Sequence, residues 1–75
     1  MNAIITTESG SVYCLNGRRI TGGSVPRGEV GKYQNSYEFQ GLQSVDWPTV
    51  GACMFIKLDN GRTVKTSPVQ HMEIL

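Results

Sequence analysis

Two Asn-Gly dipeptides, Asn16-Gly17 and Asn60-Gly61, each stand between runs of β-type residues. Both residue types tolerate the positive φ that a type I′ turn demands, so each pair predicts a tight antiparallel hairpin. The second signal is the clearer. Ala52–Leu58 reads as a long apolar strand, Asp59-Asn60-Gly61 as the turn, Arg62–Thr66 as the return strand and the residues after Pro68 as a short closing segment. Thr66-Ser67-Pro68 is expected to end the return strand, because proline has no N–H for a ladder and holds Ser67 extended. Parity within Ala52–Leu58 puts Ala52, Met54, Ile56 and Leu58 on a core face and Cys53, Phe55 and Lys57 on the opposite one. Phe55 is then a candidate subunit contact, unless the strand is central and buried on both faces.

Upstream, Ala3–Thr7, Ser11–Leu15 and Arg18–Thr21 read as strands, with Glu8-Ser9-Gly10 as a turn. Gly22–Asn35 carries four glycines and a proline, which exclude a helix and predict a long Gly-rich loop. Tyr37–Val45 resumes alternation, with Tyr37, Phe39 and Val45 on one face and Gly41 marking a bulge or bend. Trp47-Pro48 makes an extended corner before the main strand. Apolar residues nowhere recur at helical spacing over two turns. The expected fold is all-β: one domain over residues 1–75, a five- to six-stranded antiparallel barrel or bent sheet, SH3-like, with a long Gly-rich loop.

Length and charge narrow the function. Seventy-five residues with 39% apolar content make a thin core, against an ordering cost of roughly 1.5 kcal/mol per residue, so homo-oligomerisation is expected. Seven Lys/Arg against six Asp/Glu leave a formal charge of +1, which disfavours duplex nucleic acid as a partner. Met1–Thr7 lacks the pattern of a secretory leader, and no window approaches the roughly 20 apolar residues of a membrane helix, so a cytoplasmic location off the membrane is expected. Cys14 and Cys53, on separate strands, are expected to be buried thiols. With the single His71 they form no metal-ligand spacing, and no metal or cofactor is implied.

Catalysis needs a nucleophile or base with a partner in a pocket. His71 stands alone in a polar-alternating segment, the carboxylates are scattered, and neither a P-loop nor a dinucleotide fingerprint is present. The chain reads as a non-enzyme. Binding has more material. Arg18 and Arg19 follow a tight turn, Arg27 and Lys32 lie in the Gly-rich loop, and Tyr33, Tyr37 and Trp47 are close in sequence. Arginine forks grip phosphates and aromatic rings stack on bases, which together suit a small nucleotide-like anion. The Thr66 and Ser67 hydroxyls join this set, with capping of neighbouring backbone as their structural alternative.

Three stretches, Ile5–Tyr13, Pro48–Gly51 and Val64–Val69 with Glu73-Ile74, resemble a loose group of small, mostly uncharacterised bacteriophage-encoded β proteins. Those proteins typically open with a TTESGSVY hairpin and finish with TSPV and a short strand. The resemblance brings no activity with it, and Gly22–Ser36 falls outside its pattern. It implies a phage accessory protein acting in the host cytoplasm. Two functions fit best: anti-defence sequestration of a small signalling nucleotide, or a protein-interaction module that inhibits or recruits a host or phage protein through Phe55, Trp47 and the loop. Binding of single-stranded nucleic acid and a virion role stand behind them.

Overall fold

The computed structural model describes residues 2–42 and 47–75. Six strands run β1 (Asn2–Thr7), β2 (Val12–Asn16), β3 (Arg19–Gly22), β4 (Gly31–Gln34), β5 (Cys53–Lys57) and β6 (Thr63–Ile74), with one helical turn, α1 (Ser36–Phe39), between β4 and β5. Each strand pairs antiparallel with the next, and β6 returns to β1, so the sheet is a closed barrel with no free edge strand. Among the described residues no helix is long and apolar enough to cross a membrane.

Alternation builds the core. Ala3, Ile5 and Thr7 point inward from β1, Tyr13 and Leu15 from β2, Ile20 from β3, Tyr33 from β4, and Met54 and Ile56 from β5; Leu58, Val25 and Val69 are buried with them. The Tyr13 hydroxyl accepts the Ser24 N–H at 3.1 Å, giving that buried phenol a partner and tying the β3–β4 loop to β2.

The hairpins use other turns than type I′. Asn16 pairs with Arg19, which leaves Gly17-Arg18 as the loop. Gly17 has φ 62° and no described residue other than glycine has positive φ, so the glycine sits at the first central position of a II′-class turn. At Leu58–Arg62 the Gly61 N–H reaches Leu58 C=O and the Leu58 N–H reaches Arg62 C=O, a three-residue loop with a glycine bulge. Thr7–Ser11 repeats that arrangement through Gly10.

Four other expectations need correction. Within the supposed loop Gly22–Asn35, Gly31–Gln34 forms β4 between β3 and β5. A Cβ on Gly31 would lie 2.1 Å from Ile56 Cγ2, so the glycine is a close-packed strand residue. Tyr37 and Phe39 belong to a helical turn. Asn35 Oδ1 accepts the Glu38 N–H at 2.8 Å and Glu38 Oε2 accepts the Asn35 N–H at 3.3 Å, a reciprocal cap that closes the turn. Gly41 and Leu42 end it with bonds back to Glu38 and Tyr37; Val45, expected on the same face, lies outside the described residues. Pro68 does not end a strand: β6 continues through it, pairing with β5 before it and with β1 after it. A residue without an N–H is tolerated where the ladder changes partner. Ala52 is exposed rather than core, because the turn at Gly51 precedes the strand.

Candidate ligand-binding face

The registers of β3, β4 and β5 align three cations. Arg19 lies opposite Lys32, and Lys32 opposite Lys57. All three are exposed, because their neighbours Ile20, Tyr33 and Ile56 take the inward positions. Directly opposed side chains in such ladders stand about 5 Å apart at Cβ, and like charges there repel. Arg18, Arg19, Val30, Gly31, Lys32 and Asp59 line an open groove of about 330 Å³ at this row. Arg18 is ion-paired with Glu38 of α1, so its guanidinium is partly committed already.

The next outward row on the same face is Gln34, Phe55 and Lys65. Phe55 is half-buried and stacked on Phe39 of α1, ring centroids 4.6 Å apart and 18° from parallel. The outer side of β5 is thus covered from within the chain, by an aromatic that is itself 50% exposed. Tyr37, in α1, and Leu42, just after it, are also exposed.

The anticipated site residues divide into groups. Arg18, Arg19 and Lys32 share the groove. Tyr33, Tyr37 and Trp47 line a second, much smaller recess of about 90 Å³ with Asn35, Ser36, Thr49, Ala52 and Cys53; Tyr33 is buried in the core and Trp47 packs partly against it. Arg27 stands apart on the β3–β4 loop, in a depression formed by residues 21–30. Thr66 is buried: its hydroxyl accepts the Met54 N–H at 3.0 Å and donates to Ser67 C=O at 2.8 Å, bridging the irregular β5–β6 ladder. Ser67 Oγ accepts the Ser9 N–H and donates to Ser9 Oγ, which ties β6 to the β1–β2 turn.

Lys57, Lys65 and Phe39 join this face without having been picked out from sequence as binding residues. Parity already placed Lys57 outward with Phe55, but their neighbours on β4 were hidden inside the glycine-rich run. Cys14 is exposed, against the expectation of a buried thiol, because Tyr13 and Leu15 claim the inward positions of β2; Cys53 is half-buried and both thiols are free. His71 is exposed on β6 opposite Thr6, and β1 separates it from Cys14. Among the described residues no three His, Cys, Asp or Glu side chains gather as a metal-holding group. No protein-family model, curated protein or solved structure matches the chain.

Proposed function

We propose that this barrel is a non-catalytic binding protein whose β3–β4–β5 face takes a small nucleotide-like anion. The carrying observation is the in-register row Arg19, Lys32 and Lys57. Three adjacent cations repel one another in the free protein, and a bound anion converts that repulsion into attraction, so the face is built to gain from occupancy. Arg18 and Arg19 supply forked donors suited to phosphate oxygens, and Lys32 and Lys57 supply point charges. Phe39, stacked on Phe55 in the neighbouring outward row, provides an exposed ring.

Joined to the resemblance to phage proteins, this reading is of an accessory protein that sequesters a signalling nucleotide in the host cytoplasm and blunts a defence response. Sequestration needs affinity without turnover. A homo-oligomer would enclose the open groove more fully at a subunit junction. Titration calorimetry with a panel of linear and cyclic nucleotides tests the reading: saturable heats lost in Lys32→Gln support it, and absent heats across the panel remove it. Native mass spectrometry of the purified protein reads subunit number and any retained small molecule together.

A second reading is favoured by the apolar surface of the α1 segment. Tyr37, Phe39 and Leu42 are 53%, 50% and 57% exposed on one short segment, and Phe39 stacks on Phe55, the aromatic-rich composition of an interface centre. A stoichiometric complex with a host protein that Phe39→Ala dissolves, with nucleotide heats absent, would establish the interaction module instead.

A further inference from the structure

The spacing of the outer face sets how much ligand it takes. Arg19, Lys32 and Lys57 step across three neighbouring strands, each step about 4.8 Å, so their backbone positions span roughly 10 Å and the outward charges, on the convex side of the barrel, at least that. One phosphate group meets one or two of these cations and leaves the remainder repelling. A phosphodiester-linked chain laid across the strands meets all three. Thr63, opposite Lys57, extends the row by a hydroxyl.

Beside the phosphate row runs a row able to hold bases. Phe55 is two residues from Lys57 on the same face, about 6.6 Å along the strand. Phe39 stacks on Phe55 and is the more exposed ring of the two. A base laid on Phe39 would lengthen a stack that already exists, so no ring need be reorganised to receive it. Gln34 and Lys65 flank Phe55 on either side, an amide and an ammonium able to bond base edges. The acidic groups near the phosphate row are Asp59, which lines the groove, and Glu38, which is engaged with Arg18.

Resting on the nucleotide-like anion reading, we infer that the outer face of β3–β6 binds a single-stranded phosphodiester chain of at least two nucleotides. Its phosphates lie over Arg19, Lys32 and Lys57, and one base stacks on Phe39. The near-neutral formal charge of +1 does not oppose this, because Arg19, Lys32, Lys57 and Lys65 lie on four consecutive strands. A duplex would present its bases already stacked on each other and unavailable to the ring.

The test is fluorescence-anisotropy competition on the intact chain, using deoxyadenosine monophosphate, the deoxyadenylate dinucleotide and tetranucleotide, and an abasic chain of tetranucleotide length. Each is titrated at several potassium chloride concentrations. The dinucleotide is expected to bind at least about tenfold more tightly than the monophosphate. The tetranucleotide should show a log–log salt slope of about −2, falling by about 0.7 in magnitude in Lys32→Gln or Lys57→Gln. Phe39→Leu, with its circular-dichroism spectrum unchanged, should weaken the tetranucleotide about tenfold and leave the abasic chain unaffected. Equal affinity and slope for monophosphate and tetranucleotide would overturn the extended-chain inference while leaving the anion site standing. Equal binding of abasic and adenylate chains would overturn the stacking assignment and leave a plain polyanion site. Failure of every probe, the monophosphate included, would remove the underlying reading as well.

Discussion

The barrel has two unlike halves. β1 is paired along its length on both sides, with β2 and with β6. β3 meets β4 only through Arg19–Lys32 and Ile20–Gly31, and β4 is four residues long. The outward residues differ as sharply. On the β1 side they are Asn2, Ile4, Thr6, Val12, Cys14 and Asn16, with His71 and Glu73 from β6, and no lysine or arginine among them. On the β3–β5 side they are the three aligned cations, with Lys65 and the Phe39–Phe55 stack beside them. The shortest pairing of the barrel, the β3–β4 seam, lies beneath Arg19 and Lys32. The surface proposed to bind a ligand includes that seam, where like charges face each other. Such a division is expected where binding groups are selected against their own mutual repulsion, the rest of the fold making up the difference.

The largest effect should come from the cohesive half. Ile5 is fully buried at the centre of β1, and Ile5→Ala leaves a cavity walled by two paired strands that have little room to collapse. A loss of about 2–5 kcal/mol is expected, read as a lower urea midpoint at unchanged m-value. A loss below about 1 kcal/mol would show that β1 is not the stabilising side.

Gly31→Ala probes the weaker seam. The new methyl would overlap Ile56 Cγ2, on a β-branched side chain with little rotamer freedom. Overpacking of this kind costs about 1–3 kcal/mol and should splay β4 from β3. Hydrogen exchange would show it as amides of β3 and β4 opening while those of β1 and β2 stay protected. Uniform loss of protection across the sheet would mean that the two halves unfold as one unit and differ in surface only.

Thr66→Val tests a joint between the halves. It keeps the shape of a buried side chain but strips the acceptor from the Met54 N–H. An unsatisfied buried amide costs about 1–3 kcal/mol. The expected signature is a lower thermal midpoint with nucleotide affinity retained, since the hydroxyl is turned inward. Affinity lost in the folded variant would instead place Thr66 within the site.

How far these halves can be read from residues alone follows the range of the interactions involved. Asp59-Asn60-Gly61 and the alternation of Met54, Ile56 and Leu58 are local signals, and the β5–β6 hairpin follows from them. β4 is not local in that sense. Gly31 reads as a loop residue by propensity, and only the Ile56 methyl across the sheet explains why the strand must have no side chain there. Tyr37 and Phe39 alternate like strand residues, yet the cap formed by Asn35 and Glu38, spaced as in a capping box, turns them into a helix. Pro68 looks like a terminator until β1 supplies a second partner for β6. The candidate site inherits the same limit. Arg18, Arg19 and Lys32 stand out individually, but their alignment with Lys57 exists only once β4 is recognised as a strand between β3 and β5.

The smallest effect is the most discriminating, because its sign is unusual. Lys32 stands in the middle of the row, with a cation on either side of it. Lys32→Gln keeps a flexible polar side chain, one atom shorter, at the outward position and removes both repulsions. The free protein should therefore gain a few tenths to about 1 kcal/mol, while most substitutions at ordered positions lose stability. That gain should shrink as salt is added, since exposed charges are screened. The same variant should bind nucleotide less tightly, by a margin that also narrows with salt. Thr6→Gln, on the outward face of β1, is the matched control and should alter neither binding nor the salt dependence of stability. A salt-sensitive gain in stability coupled to a salt-sensitive loss of affinity ties both to one set of charges. If Lys32→Gln instead destabilised the barrel, the row would be contributing to cohesion through groups outside it, and the contrast between the two halves would fail.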